Sequence, residues 1–275
     1  MKLLRRWASA AGAGPKPGPR PCTRESILLA GIDKQAAGLE IGPSHRPVAA
    51  KRDGYNVAIL DHLDAPALRA KYADHGVDIA AIEEVDYVWT GEPLDELVAG
   101  RRFSWIVASH VIEHVPDFGG FLNACERILV PGGVLSLAVP DKRYCFDCER
   151  ENSSVGRIID AALAKATNHT PGIAAEYVLK VRRKGGLIAW HEGAQGDLEP
   201  VHGVADAVAA LEQVRQGHYL DLHSWVFTPE SFRQIIRDLR ALGMTGFEER
   251  AFHGTRGCEF FVMLEKPASP LRAIA

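Results

Sequence analysis

The stretch from Phe103 to Asp141, FSWIVASHVIEHVPDFGGFLNACERILVPGGVLSLAVPD, constrains the fold more than any other. FSWIVASH and VLSLAVPD are each apolar along most of their length, as strands covered on both faces must be. Between them Phe121, Leu122, Cys125, Ile128 and Leu129 recur at helical spacing, and Pro131-Gly132-Gly133 turns the chain. A strand, a crossover helix and a second strand of this kind lie parallel in one sheet.

The pattern extends in both directions. AAGLEIG, YNVAILDH and IEEVDYVW read as the first three strands, with the helical LRAKYADHG between the second and third. Before them, TRESILLAGI is a short helix that Thr23 is placed to cap. From about Cys148 to Leu222 the alternation stops, and three helical patterns follow without a strand. Pro171 can open one of them and Gly185 close it; Val204, Val208, Leu211 and Val214 form an apolar stripe on the third. Thr228-Pro229 then starts a helix carrying Phe232, Ile235, Ile236, Leu239 and Leu242, and GFEERAFH and CEFFVMLEK form an antiparallel hairpin around GTRG. The expectation is a Rossmann-like α/β open sheet, mostly parallel, with a C-terminal antiparallel hairpin strand and helices on both faces. Residues 1–22 read as a flexible tail, 23–147 and 223–267 as the sheet domain, and 148–222 as a helical insertion after strand five, forming a lid over the substrate.

Composition narrows the function. A net charge of −3 gives no nucleic-acid footprint, and the basic runs near Lys51 and Arg182 read as solvated faces. Five cysteines in 275 residues make no disulfide framework, and the Cys145–Cys148 pair lacks the second half of a zinc motif. No apolar run reaches membrane-span or signal-peptide length, so the expected location is the cytoplasm. The sequence sets no oligomeric state.

Ligands of an open parallel sheet sit beyond the C-terminal strand ends. That rule selects Glu40 to Arg46, Asp61-His62, Asp86 to Trp89, Ser109-His110 with Glu113-His114, and Pro140 to Tyr144. Asp61 follows Glu40 at about the separation of a ribose-binding acid.

Ile112-Glu113-His114-Val115 followed by Arg127-Ile128-Leu129-Val130-Pro131-Gly132-Gly133 resembles the core of class I S-adenosylmethionine-dependent methyltransferases, the type 11-like group. HSWVFTPESFRQIIRDLRALGMTGFEE is similar to a later segment of the same group. LEIGPSHRP and PDKRYCFD also resemble methyltransferase domains of bacterial cell-envelope polysaccharide pathways. The resemblance implies S-adenosylmethionine as cofactor. It places Glu40 and Gly42 in the first motif, Asp61 on the ribose, Asp86 with Tyr87 at the adenine, and Ser109 with His110 along the methionine part. Ser44 stands where that motif has a second glycine, and Arg46 where a third often sits. A pyrophosphate would need those glycines, whereas a sulfonium cofactor has a carboxylate that Ser44, His45 or Arg46 can meet.

For a hydroxyl acceptor a base is required. The candidates are His110, His114 and Asp141, with Tyr144 beside them; Lys142 and Arg143 would position the acceptor. Trp190, His191 and His223 of the insertion side suit a sugar ring. The histidines lack compact ligand spacing, so no metal is expected. The reading is methyl transfer to a hydroxyl of a saccharide or small polar acceptor. The alternatives are a natural-product or lipid-like acceptor, or a degenerate domain serving as a binding or scaffold module.

Overall fold

The computed structural model describes residues 23–268, so the expected tail at 1–22, with Cys22, lies outside the described residues. The strands are β1 (Gly38–Ile41), β2 (Val57–Asp61), β3 (Tyr87–Val88), β4 (Phe103–Ser109), β5 (Leu129–Pro140), β6 (Arg182–Lys184), β7 (Leu198–Pro200), β8 (Glu248–Arg256) and β9 (Glu259–Glu265). Seven of them form one sheet in the order β3-β2-β1-β4-β5-β9-β8, and β6 pairs with β7 alone. The first five run parallel; β9 enters antiparallel between β5 and β8. The helices are α1 (Arg24–Leu28), α2 (Ala65–Tyr72), α3 (Leu94–Leu97), α4 (Phe118–Ile128), α5 (Val155–Ala164), α6 (Pro171–Lys180), α7 (Val204–Arg215) and α8 (Pro229–Ala241).

Local chemistry explains the helix starts. The side chains of Asp64, Asp117 and Thr228 accept backbone N–H bonds at the first turns of α2, α4 and α8, and Pro229 has no N–H to leave unpaired there. Alternate residues of each strand face opposite sides. Leu39, Ile41, Ile106, Leu135 and Leu137 pack against Phe118, Leu122, Phe232 and Ile236 on one face. On the other, Val57, Ile59, Trp105 and Val107 pack with Ile27 and Leu28 of α1. The Ser136 hydroxyl, buried in β5, donates to Leu28 O at 2.7 Å and ties α1 down.

Four local expectations need correction. The third strand is only Tyr87–Val88, because Glu83 turns its carboxylate to Lys51 N and Arg52 N and draws the preceding segment off the sheet. The last hairpin turns at Gly257-Cys258, with Gly254 and Thr255 already inside β8. The segment 148–222 is not purely helical: α6 stops at Lys180 and the chain continues into β6, with Gly185 in the turn beyond. On α7, Val204 and Val208 are exposed; Ala207 and Ala210 take their place beside the expected Val214 in packing on Ala174 and Val178, since small residues let the two helices approach.

Gly38 shows how tightly this sheet is built. A Cβ there would fall inside the buried Trp105 indole, which is itself fixed by donating to Asp33 O and Ala36 O. Gly38→Ala is expected to lower unfolding free energy by about 1–3 kcal/mol, the usual cost of overpacking. Urea denaturation checks this, and an unchanged midpoint would refute the close packing of Trp105.

Candidate active site

Strand register gathers the site. Ile41 pairs with Leu60 on one side and Ala108 on the other, so Gly42, Asp61 and Ser109 follow at three adjacent strand ends. This is the point where strand order reverses, the usual ligand crevice of an open sheet. Because β9 runs the opposite way it starts at the same edge, and Pro140 pairs with Glu259.

The loop after β1 is shaped by two carboxylates. Glu40, 1% exposed, accepts Val48 N at 2.6 Å and Ala49 N at 2.9 Å. Burial raises its pKa from 4.5 to about 7, outweighing the two N–H groups that favour the charge. Both oxygens are thus spent on the loop. Asp61, buried at the end of β2, accepts Ser44 N at 2.9 Å on one oxygen and His62 N at 2.8 Å on the other. Gly42 has φ +66°, and a Cβ there would come within 2.9 Å of Val111. Ser44 takes φ +48°, the left-handed conformation a glycine would adopt freely, at a strain of about 1–2 kcal/mol. The serine therefore preserves the backbone turn that a glycine-rich motif would make.

Past β4 the residues are charged. Arg24 donates to Glu259 Oε1 at 2.7 Å and also to the Ser109 hydroxyl. His110, with φ +54°, places Nε2 2.8 Å from Glu259 Oε2 and Nδ1 3.5 Å from Glu113 Oε1. Burial pushes the Glu259 carboxyl up, but His110 and Arg24 together hold it below the ordinary range. A carboxylate at Nε2 favours the tautomer with its proton there and the lone pair on Nδ1.

The chain returning from the insertion closes the other side. Ser224 N and Trp225 N both donate to Glu113 O, and Trp225 Nε1 donates to Val115 O at 2.7 Å. His223 is thereby set against His114, ring centroids 4.5 Å apart. His223 Nδ1 lies 2.5 Å from Asp147 Oδ2, and Asp147 also accepts from Arg150, which is 1% exposed. His114 Nδ1 is 2.9 Å from Asp221 Oδ1. Burial works against a charged His114, yet Asp221, Glu113 and Asp147 raise its pKa overall; the same contact takes Asp221 down to about 2.

Several sequence candidates sit elsewhere than expected. Asp86 is not at the C-terminal end of β3. It precedes that strand, accepts Ile59 N and pairs with Lys51 at 2.6 Å, while Trp89 and Thr90 follow the strand end. Tyr87 pairs with Leu60 within the sheet. Asp141 is fully buried and bound by Arg143 at 2.6 Å and by the Thr255 hydroxyl, which leaves it braced rather than poised as a base. Arg143 is spent on that pair, with its guanidinium over the Tyr144 ring, and Lys142 donates inward to Arg150 O. Trp190 is buried and donates to Arg143 O, and His191 is exposed beside Glu192 O. Ligand spacing along the chain gave no metal; in space Glu113, His114 and His223 each offer a donor atom, all within 4.8 Å of one another.

Arg24, Asp147, Asp221 and Glu259 were missed from sequence. Arg24 and Glu259 stand at opposite ends of the described chain, and only the antiparallel β9 brings them together. Burial raises the pKa of both Cys145 and Cys148, so neither is an activated thiolate. An open cavity of about 340 Å³ among Asn123, Glu126, Arg127 and Lys266 lies at the other end of the strands.

The crevice residues fit S-adenosylmethionine. Asp61 offers a buried carboxylate for ribose hydroxyls, and Arg24 offers a cation at the β4 end for a carboxylate.

A family described as Methyltransferase domain matches residues 19–239. A ubiquinone biosynthesis O-methyltransferase of Bradyrhizobium sp. (strain ORS 278) is 33% identical over 60 residues, covering 22% of this chain and 23% of that protein. One of Dinoroseobacter shibae is 29% identical over 133 residues, 46% of this chain and 44% of its own. The chain thus spans less than half the length of these curated relatives. Among solved structures, the glycopeptide N-methyltransferase MtfA complexed with S-adenosyl-L-methionine is 16% identical, with 89% of this chain and 92% of that one covered and a TM-score of 0.42. A Burkholderia thailandensis 1,6-didemethyltoxoflavin-N1-methyltransferase is 15% identical, with 90% and 77% covered and a TM-score of 0.45.

Glu40 yields a pH test. Its folded pKa of about 7 lies above the ordinary 4.5, so its contribution is fully present below about pH 4.5 and lost as pH rises through about 7. At the full shift this is on the order of 3 kcal/mol. The stability advantage of the wild type over Glu40→Gln is therefore expected to shrink between pH 5 and 8 in denaturant titrations. A constant difference would contradict the buried, proton-holding carboxyl.

Proposed function

The chain belongs to the Methyltransferase domain family, and we propose that it is an S-adenosylmethionine-dependent methyltransferase that methylates a hydroxyl of a small polar acceptor. The observation that carries the proposal is the His110–Glu259 pair, a 2.8 Å contact at the end of β4 beside the cofactor crevice. The bound cofactor supplies an already activated methyl group on a sulfonium. The chain's own task is to hold cofactor and acceptor in line and to take the hydroxyl proton.

Asp61 would accept the ribose hydroxyls beside its bond from Ser44 N, and Ser44, held in its left-handed turn, keeps the loop arched over the crevice. Arg24 would meet the carboxylate of the methionine part. His110 presents Nδ1 to the acceptor, while Glu259 fixes the ring and stabilises the imidazolium formed on proton uptake. On the insertion side His223 faces Glu113, and the Tyr177 ring packs beside His223.

Oxygen as acceptor atom agrees with the name of the curated relatives, which are O-methyltransferases. A saccharide has less support than a polar acceptor in general, since Trp190, the ring assigned to stack on a sugar, is turned into Arg143 O.

Two outcomes test this reading. Asp61→Ala is expected to weaken S-adenosylhomocysteine binding by about 1.5–3 kcal/mol in calorimetry, the value of a hydrogen bond to a charged group. His110→Gln is expected to keep that affinity and lower kcat by roughly 10²–10⁴ with any hydroxyl acceptor found by screening for methyl incorporation. Wild-type affinity in folded Asp61→Ala, or wild-type kcat in His110→Gln, would remove the respective assignment.

A further inference from the structure

Among the described residues, four buried polar atoms lacking a hydrogen-bond partner belong to Glu113, Arg150 and His169, and all three residues border the space between the β4 loop and the insertion. Glu113 is the most demanding. It is 1% exposed, and neither of its carboxylate oxygens has a hydrogen-bond partner among the described residues. Proteins bury a carboxylate this deeply with a partner, or with a cation.

The neighbours of Glu113 are arranged as metal ligands are. His223 Nε2 faces Glu113 Oε1 at 3.9 Å, too far for a hydrogen bond, while its Nδ1 is held at 2.5 Å by Asp147. A carboxylate on Nδ1 leaves the Nε2 lone pair free, so lone pairs face each other across that gap. Asp147 is in turn fixed by Arg150. This chain of carboxylate, imidazole and open lone pair is the outer-shell pattern that orients a metal-ligating histidine. His114 supplies the third donor, all three lying within 4.8 Å of one another.

We propose that Glu113, His114 and His223 bind a divalent transition-metal ion of the zinc class, with Asp147 as the positioning residue for His223. Two imidazoles and one carboxylate suit zinc and leave a further coordination position. Tetrahedral zinc with bonds of about 2.1 Å needs donors roughly 3.4 Å apart, so binding draws the side chains inward by about an ångström. His114 is partly exposed, which gives the ion an entry path.

The ion also has a place in the reaction. Glu113 Oε1 lies 3.5 Å from His110 Nδ1, so the open position would take the acceptor oxygen and ease loss of its proton to His110. This last step rests on the hydroxyl-acceptor reading; ion binding itself does not.

The test uses tag-free full-length protein, stripped with chelator and titrated with Co²⁺ and with Zn²⁺. One ion per chain is expected, with the visible absorption of low-coordinate Co²⁺ that Zn²⁺ displaces. Glu113→Gln and His223→Gln are expected to abolish the Co²⁺ band, and Asp147→Asn to weaken affinity about 10–100-fold. Circular dichroism confirms that each variant is folded. If Glu113→Gln fails to fold, a zinc-dependent rise in the wild-type Tm reversed by chelator, together with the His223→Gln result, decides the matter. No Co²⁺ band in the wild type, or wild-type binding in the folded variants, would overturn the site and mark any bound ion as adventitious. S-adenosylhomocysteine affinity measured on the same samples separates this failure from a failure of the methyltransferase site.

Discussion

The contact of Glu40 with Val48 N and Ala49 N organises the edge of the sheet beyond the C-terminal ends of β1 and β2. A carboxyl buried to this degree is costly, and it is kept because two backbone donors would otherwise be unsatisfied in the same place. With residues 48 and 49 fixed against β1, the intervening chain must arch out beyond the strand end. Asp61 then catches the arch at Ser44 N, and its left-handed turn follows. Two acids on neighbouring strands thereby do what a run of glycines does through flexibility.

The region beyond β4 depends on a second anchoring. Glu113 O receives Ser224 N and Trp225 N, so the chain leaving the insertion is stitched to the loop after β4. The packing of α6 on α7 through Ala174, Val178, Ala207, Ala210 and Val214 also takes in Leu222, next to that segment. His223 and Asp147 owe their positions to it, and the polar cluster over β4 follows from a backbone contact.

Much of this was legible in the sequence, for identifiable reasons. The apolar β4, the stripe of α4 and the capped α8 have periodicities that admit one reading, and the sheet edge follows from them. The first loop was legible through Gly42 and Asp61, whereas the role of Ser44 depends on a backbone angle that no residue pattern announces. Asp86 misled because β3 is shortened by a distant contact from Glu83 to Lys51 N. Asp141 carries the residue type of a base, but Arg143 and Thr255 consume it. The Glu113–His114–His223 cluster was invisible because its last member arrives through the insertion, and ligand spacing along the chain does not record such a return.

We propose that the arch between β1 and β2 cradles a sulfonium cofactor through Asp61 and Arg24 despite its missing glycines. A crystal structure of the full chain with S-adenosylhomocysteine decides this. The ribose hydroxyls are expected on Asp61 and the amino-acid end beside Arg24 and Ser109, with the Ser44 turn retained. Ligand bound elsewhere, or an arch that must unfold to admit it, would refute the arrangement.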